Sequence, residues 1–516
     1  MLIDHAESYW DLVESAACAQ PDRPLLSDDY GRVLSAAGLR DAALRYAAVL
    51  SRNGAGRGTV VSWQLPTTLE TMVIMVALTR LGAVQNPIIP TWRESELRHA
   101  ITQIGTELFI CPHRWHGYGH FEAVRTLGST RSMKIVPVDL ETPPHGDALR
   151  LPRGEIVDLG APVGDRRRTS WVYYSSGTTS APKGIRHSDA SVLAGAAGIV
   201  EMIGTDSSDV NPIAFPVSHI GGAATLAAAL VTKMRLVLFD EFDPVETPVA
   251  MASHDPTLLG SATPFFMAYL SAQRRAGGRP LFPRLRGCTG GGAPITPELG
   301  RRVRTELGVA GIANAWGLTE FPVATSAPLD APAEILDHTV GKPLAGVQIR
   351  IVDALGRESA SDDVGELRLK GPQCFLGYSD PALDAVAFDS DGWFCTGDLG
   401  SVDQNGYVRV TGRIKDAIIR NAENVSALEV EEVLAKCAGV ADVAVIGVPD
   451  EVTGERVCAV VVPAPGVMVD LAVLADHCRA HGLSRYKNPE RIEFVDALPR
   501  NPTGKVLKTA LRERFR

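Results

Sequence analysis

The sequence has little of what marks several protein classes. Its eight cysteines are scattered singly without a CxxC pair, so neither a disulfide framework nor a cysteine-based zinc site is expected. A formal net charge of −9 argues against nucleic-acid binding, which needs a basic face. No apolar run approaches the roughly 20 residues of a membrane span, and the first residues lack the apolar core of a signal peptide. We therefore expect reduced thiols and a cytoplasmic location.

The 516 residues exceed what one hydrophobic core usually supports, so two or more domains are expected. Short apolar strands alternate with helical stretches up to about Val340, a pattern typical of doubly wound α/β sheets. A smaller β region follows, and the alternation then returns. The predicted fold class is α/β: a large N-terminal doubly wound α/β body with a small β region, plus a mobile α+β C-terminal lobe. The predicted domains are residues 1–412 and 413–516.

The segment Tyr174–Gly184, with the sequence YSSGTTSAPKG, is the most informative stretch for function. It follows a predicted strand and precedes a predicted helix over Ser188–Val200, and a strand–helix junction rich in glycine and hydroxyls exposes backbone N–H groups. Together with the charge of Lys183, such a loop suits the phosphates of a nucleotide. It is not a Walker A loop, because Pro182 replaces the second glycine and Gly184 replaces the magnesium-binding Ser or Thr.

The order of residues in this loop resembles the phosphate loop of the adenylate-forming enzymes. This superfamily comprises acyl-CoA synthetases, aryl-CoA ligases, luciferases and the adenylation domains of peptide synthetases. The resemblance implies that the following residues contact the phosphates: Ser175, Ser176, Gly177, Thr178, Thr179 and Lys183.

Two further segments resemble nucleotide-contacting motifs of this superfamily. The first, Gly290–Pro294, implies contact of three residues with adenine, since consecutive glycines let backbone approach a flat ring. The second, NAWGLTE over 314–320, implies an aromatic ring stacked on adenine, a hydroxyl on the α-phosphate and a carboxylate on Mg²⁺. The residues that these motifs assign are Gly291, Gly292, Ala293, Asn314, Trp316 (adenine), Gly317, Thr319 (α-phosphate) and Glu320 (metal). Read alone, the glycine-rich turn would be structural.

Three later motifs complete the resemblance. Asp398, in WFCTGD, is the implied ligand of both ribose hydroxyls, and Arg413, in GRIKD, reaches the ribose and phosphate side. Lys415 matches the hinge about which the small domain rotates. Lys505, in NPTGKV, matches the lysine that neutralises charge developing on the acyl-phosphate transition state.

His219, in FPVSHIGG, matches a position beside the carboxylate substrate, although a buried structural histidine is nearly as good an interpretation.

One segment departs from the superfamily pattern. After the hinge this chain reads NAENVSA, where a Gly-Gly-Glu-Asn-type turn is usual. The second glycine borders the pantetheine tunnel of CoA ligases, and here it is Ala422, with Asn424 two residues later. One added methyl group is tolerable in such a channel, whereas a larger side chain is not.

The resemblance implies an acid–CoA ligase of the acyl-CoA synthetase branch. A carboxylic acid reacts with ATP and Mg²⁺ to give an acyl-adenylate and pyrophosphate, and CoA as co-substrate then displaces AMP. Fatty acid metabolism is an expected setting, and a homodimer is an expected state. Two alternatives stay open: a stand-alone adenylation enzyme that loads a carrier protein, and a non-catalytic AMP-binding protein. The aspartate that holds an amino-acid ammonium is missing from 215–218, and no carrier domain follows the lysine loop.

Overall fold

The computed structural model describes residues 3, 6–128, 133–146, 148–175, 182–292, 295–421, 423–501 and 504–516; for 128 and 424 it describes only the backbone. The first thirteen strands of the N-terminal body build three sheets. They are β1 (Pro24–Asp28), β2 (Val33–Ser35), β3 (Val60–Trp63), β4 (Val84–Pro87), β5 (Leu108–Pro112), β6 (Lys134–Val138), β7 (Thr169–Ser175), β8 (Lys183–Ser188), β9 (Val210–Ile213), β10 (Arg235–Leu238), β11 (Leu258–Ser261), β12 (Gly287–Gly291) and β13 (Ile312–Ala315).

These strands follow the predicted doubly wound pattern. A six-stranded sheet has the order β6-β5-β3-β4-β7-β8, a second sheet the order β2-β1-β10-β9, and a third the order β11-β12-β13. Most neighbours are parallel; β1–β2 and β7–β8 are antiparallel. Parallel strands covered on both faces read as apolar runs, and β5 is buried at all five positions.

Six strands after β13 continue the N-terminal region. They are β14 (Thr325–Ser326), β15 (Lys342–Pro343), β16 (Gln348–Val352), β17 (Gly365–Lys370), β18 (Phe394–Val402) and β19 (Val408–Arg413). The last four form an antiparallel sheet in chain order, which is the small β region that the turns and short strands predicted. Its apolar face packs into a cluster with Trp316 and Phe321, so this sheet lies against the end of β13.

The C-terminal domain has its own sheet and its own core. Its strands are β20 (Ile418–Arg420), β21 (Glu423–Val425), β22 (Val440–Asp450), β23 (Gly454–Pro463) and β24 (Arg491–Phe494). The order is β21-β20-β23-β22, with β24 paired to β23 in parallel. Val445, Val457 and Leu474 belong to a buried cluster confined to this domain. The α/β architecture, with a large N-terminal domain and a C-terminal domain, is confirmed.

Helices cover the sheets. They are α1 (Tyr9–Ala19), α2 (Ala36–Arg52), α3 (Leu69–Leu81), α4 (Glu94–Ile104), α5 (His120–Gly128), α6 (Asp189–Ile203), α7 (Ile220–Thr232), α8 (Thr247–Ala252), α9 (Thr263–Arg275), α10 (Pro297–Leu307), α11 (Ala333–His338), α12 (Asp384–Ala387), α13 (Ala427–Leu434), α14 (Leu471–Ala480) and α15 (Lys508–Arg514). Helix α3 shows why the boundaries fall where they do: the Thr68 hydroxyl accepts from the Thr71 N–H, and Gly82 ends the helix with a left-handed φ of 66°. Within the described ranges, no helix is long and apolar enough to cross a membrane.

One local prediction was wrong. The phosphate-loop segment does not join a strand to a helix; it joins β7 to β8, which pair antiparallel with Ser175 opposite Lys183. The residues after the lysine form a strand because Ile185 is fully buried against the sheet and the backbone of Gly184 bonds to Ser379. The predicted helix follows later, with Ser188 as its N-cap.

Candidate active site

The two ends of the phosphate-loop segment lie at the end of the β7–β8 hairpin where the chain passes from one strand to the other. Ser175 ends β7 and Lys183 begins β8. The Lys183 ammonium lies 5.3 Å from the ring centroid of Tyr378, a cation–π distance that holds the charge at this edge. Four of the predicted phosphate contacts lie outside the described residues: Ser176, Gly177, Thr178 and Thr179.

The predicted adenine-contacting glycines lie at the carboxyl end of β12. Gly291 stands opposite Ala315 of β13, and a Cβ built on it would come 3.3 Å from that residue's carbonyl oxygen. Gly292 has a φ of +78°, which favours glycine. On β13, the side-chain oxygen of Asn314 is buried without a hydrogen-bond partner among the described residues, so an acceptor is left free. Ala293 lies outside the described residues.

Trp316, Asp398 and Arg413 form one connected group. The Trp316 indole donates from Nε1 to Asp398 Oδ2 at 2.8 Å, and Arg413 Nε lies 2.8 Å from Oδ1. Asp398 and Arg413 also face each other in the β18–β19 register, so the sheet itself sets this ion pair. The indole and the carboxylate are both buried. Gly317 follows, and a Cβ there would come 2.5 Å from the Val323 nitrogen, which excludes any side chain.

Thr319 and Glu320 are held by neighbouring elements. The Thr319 carbonyl accepts from His187 Nε2 at 2.7 Å, and burial lowers the pKa of His187 to about 4, so this imidazole is neutral. Because Nε2 must carry the proton, Nδ1 accepts from the Ser191 hydroxyl at 2.9 Å, which ties the loop to α6. Tyr378 donates its hydroxyl to Glu320 Oε1 at 2.9 Å. The predicted metal carboxylate is thus oriented through one oxygen.

His219 caps the N-terminus of α7. Its Nδ1 accepts from the Gly221 N–H at 3.3 Å, and burial lowers the pKa of the imidazole to about 4. The proton of the neutral ring is therefore on Nε2, which has no acceptor among the described residues. His219, Thr319 and the buried hydroxyl-bearing Ser218 line one small cavity, whose other walls are mainly apolar and aromatic. The histidine is thus both a helix cap and a cavity wall.

Lys505 of the C-terminal domain lies at the same site. Burial, and next the positive charges of Arg413 and Lys415, lower its pKa to about 8, while Asp398 acts in the opposite direction. The adjacent Gly504 packs closely on the start of α9, with a built Cβ 3.1 Å from Pro264 Cδ. Lys415 lies in a short 3-10 turn directly after β19, and burial lowers its pKa as well. Lys505 thus lies close enough to Asp398 and Arg413 for their charges to act on its ammonium.

Tyr378 belongs to the candidate site although no sequence motif indicated it. Its hydroxyl bonds Glu320, its ring lies below Lys183, and its backbone stands opposite Ile185 of β8. It therefore joins the phosphate-loop lysine to the predicted metal carboxylate. The Gly377-Tyr378 pair carries no catalytic signature, so only the contacts identify it.

The predicted tunnel residue Ala422 and the side chain of Asn424 lie outside the described residues.

Two models of one protein family match most of this chain. The model of the family described as AMP-binding enzyme matches residues 13–379, and that of its C-terminal domain matches 429–505. The chain belongs to the AMP-binding enzyme family.

Similar relatives extend over nearly the whole chain. The medium-chain fatty-acid–CoA ligase of Escherichia coli is 30% identical over 98% of this chain and 89% of its own length. The sulfoacetate–CoA ligase of Cupriavidus necator is 31% identical, covering 97% and 96%. Among solved structures, ATP-bound MatB from Rhodopseudomonas palustris superposes with a TM-score of 0.87 at 28% identity, covering 98% of each chain. The adenylate-forming resemblance is confirmed.

Proposed function

We propose that this family member is an ATP-dependent carboxylic acid–CoA ligase. The acid attacks the α-phosphate of ATP to give an acyl-adenylate and pyrophosphate, and the CoA thiol then displaces AMP to give the thioester. The observation that carries the proposal is that Lys505 of the C-terminal domain lies within electrostatic range of the Asp398–Arg413 ion pair. A lysine beside the carboxylate proposed to bind the ribose suits charge neutralisation in a transition state, which mere nucleotide binding does not need. Relatives named as CoA ligases support the same reading.

Each residue has a role that its surroundings support. Asp398, held by an indole and a guanidinium, is suited to accept hydrogen bonds from the ribose hydroxyls. Lys183 places a positive charge at the end of the hairpin for the phosphates. Lys505 would neutralise charge that grows between the attacking carboxylate and the α-phosphate. His219 is neutral and carries its proton on Nε2. It would therefore orient the acid by donating a hydrogen bond to it, without adding a positive charge to the site.

Glu320 is the residue proposed to hold Mg²⁺. Its carboxylate is nearly buried, Oε1 is engaged by Tyr378, and Oε2 has no partner among the described residues. The described residues contain no cluster of three or more side chains that could together hold a metal ion. A single carboxylate fits Mg²⁺ that takes its other ligands from phosphate oxygens and water. When bound, the ion would neutralise phosphate charge, while Glu320 and Tyr378 fix its place.

The second half-reaction is proposed to use another face of the C-terminal lobe. Rotation of residues 413–516 about Lys415 would withdraw Lys505 and present Ala422 and Asn424 to the same site. Motion of this kind concentrates at the ends of elements, and Lys415 follows directly after β19. Four expectations stay predictions: the domain boundary between residues 412 and 413, the cytoplasmic location, the homodimer and the link to fatty acid metabolism.

Product analysis tests the proposal. With a panel of carboxylic acids, the enzyme should release AMP and pyrophosphate, and form thioester only when CoA is present. Formation of ADP would refute adenylation, while activity that requires a carrier protein in place of CoA would favour the alternative acceptor. Nucleotide binding without turnover on any acid would favour the non-catalytic alternative.

A pair of variants separates the half-reactions. Lys505→Ala should abolish acyl-AMP formation and still convert synthetic acyl-AMP and CoA to thioester. Ala422→Leu should form adenylate and stall before transfer, since the larger side chain would fill the proposed tunnel. Single-turnover assays of each step decide this. Equal loss of both steps in folded Lys505→Ala, or unimpaired transfer in Ala422→Leu, would contradict the two-face mechanism.

A further inference from the structure

The hydrogen bond between Trp316 and Asp398 links two positions that separately meet the base and the sugar in the proposed function. We propose that Trp316 is a positioning residue that fixes the Asp398 carboxylate for the ribose hydroxyls, so that its indole N–H sets the preference for ATP over 2′-deoxy-ATP. This inference rests on the proposed function, and it adds to that function a determinant of nucleotide specificity.

The donor is held rigidly. The Trp316 backbone exchanges hydrogen bonds with Thr325 of β14, with its N–H on the Thr325 carbonyl at 3.1 Å and the reverse bond also at 3.1 Å. The indole is 7% exposed, and Asp398 is 3% exposed. The N–H is therefore aimed at the carboxylate by a strand pairing and by packing. A fixed donor places an acceptor more accurately than a flexible one does.

The acceptor is constrained on both oxygens. Nε1 of Trp316 meets Oδ2 and Nε of Arg413 meets Oδ1, each at 2.8 Å. The Arg413 contact is an ion pair, and Oδ1 accepts no hydrogen bond from the described residues. A carboxylate has about four lone-pair sites, so one protein hydrogen bond leaves room for two hydroxyl donors from a ribose. Loss of the indole bond would leave a buried carboxylate held by Arg413 alone, whose side chain is 28% exposed. The carboxylate would then be free to rotate away from the geometry that both hydroxyls require.

The chemistry of the indole suits this task. Tryptophan has a donor and no acceptor, so it cannot compete with Asp398 for the ribose hydroxyls. The Nε1–H lies in the ring plane, so the bond to Asp398 does not use a face of the indole. One side chain could therefore serve base stacking through its face and ribose recognition through its edge.

The decisive variant deletes the N–H and keeps an aromatic face. In Trp316→Phe, the loss of one hydrogen bond to a charged acceptor should raise the KM for ATP about tenfold. The kcat/KM preference for ATP over 2′-deoxy-ATP should fall about fivefold, and the KM for the acid should change less than about twofold, because only the ribose contact is disturbed. Benzothienylalanine at position 316, in which sulfur replaces the N–H isosterically, should give the same result if the phenylalanine variant does not fold.

The chain offers a matched control. Trp171 donates from Nε1 to Asp189 Oδ1 at 2.9 Å, and both residues are buried. The other carboxylate oxygen, Oδ2, accepts from the backbone N–H of Tyr9 in α1, so this carboxylate serves packing of the N-terminal helix. Trp171→Phe makes the same chemical deletion and should lower thermal stability without changing the ATP/2′-deoxy-ATP preference. An equal change in both variants would overturn the inference.

A double-mutant cycle tests whether Trp316 acts through Asp398. If it does, Trp316→Phe made in an Asp398→Asn background should leave the nucleotide preference within about twofold of the single Asp398→Asn variant. An undiminished effect in that background would overturn the inference. The inference would also be overturned if both variants at position 316 still formed AMP and pyrophosphate and kept the native preference for ATP over 2′-deoxy-ATP. Absence of AMP formation in the native enzyme would instead overturn the proposed function.

Discussion

The charge of Lys505 should be lost within the pH range in which the enzyme can be assayed. Burial, and next the charges of Arg413 and Lys415, lower its pKa from 10.5 to about 8. The protonated fraction then falls from about nine-tenths at pH 7 to about one-tenth at pH 9. Adenylation needs the ammonium form, so kcat/KM for ATP should fall about tenfold over this interval. A lysine with its ordinary pKa would show almost no change.

Initial rates of pyrophosphate release, measured with ATP below its KM, provide the assay. This regime reports the pKa of the free enzyme. Thioester formation from synthetic acyl-AMP and CoA should lack the alkaline decline, because the role proposed for Lys505 is confined to adenylation. Lys415→Gln should move the decline to higher pH, since removing a positive neighbour stabilises the ammonium of Lys505.

Lys487→Gln is the matched control. The Lys487 ammonium is paired with Glu429 at 2.7 Å in the same domain and is not among the charges that shift the pKa of Lys505. Its pH profile should overlay that of the native enzyme. A native profile that stays flat to pH 9, or the same decline in the residual activity of Lys505→Ala, would refute the reasoning.

Three further results are expected. Asp398→Ala should raise the KM for ATP tenfold or more, by loss of charge-assisted hydrogen bonds of about 1.5–3 kcal/mol; an unchanged KM would contradict the ribose role. Tyr378→Phe should shift the Mg²⁺ dependence of adenylation several-fold while leaving the KM for CoA unchanged, because Glu320 loses its orienting donor; overlapping Mg²⁺ curves would argue against this. His187→Ala should lower the free energy of unfolding in urea by about 1–3 kcal/mol, since the half-buried Thr319 carbonyl loses its donor; equal urea midpoints would speak against it.

The pKa of His187 also has a consequence for stability. Its folded-state value of about 4 lies below the ordinary 6.5, so the unfolded chain takes up a proton first as the pH falls. The contribution of this group to stability is therefore complete above about pH 6.5 and is lost progressively towards pH 4. His187→Ala should remove this part of the acid destabilisation, which urea unfolding at several pH values would measure.

Local sequence was sufficient for the elements whose patterns are strong. The sequence predicts a strand over Leu108–Cys111, a helix over Glu70–Leu81 and a strand over Gly365–Lys370, and β5, α3 and β17 lie at these positions. Burial on both faces leaves a continuous apolar run in β5, and burial on one face leaves an alternating pattern in β17. The phosphate-loop segment was misplaced for the opposite reason. Lys183–Ser188 is short and has one apolar side chain, Ile185, so it shows no alternating pattern, and only its pairing with β7 makes it a strand.

The sequence by itself determined the family and indicated which residues are proposed to be chemically active, because motifs such as NAWGLTE and NPTGK are contiguous and carry their meaning in their order. Only the tertiary structure decided how they cooperate. The indole–carboxylate–guanidinium group joins residues from three strands or strand ends, and Tyr378 reaches Glu320 across 58 positions. Contacts of this kind depend on sheet register and on the approach of the C-terminal domain, which bring together side chains that are distant in the chain and leave no local pattern.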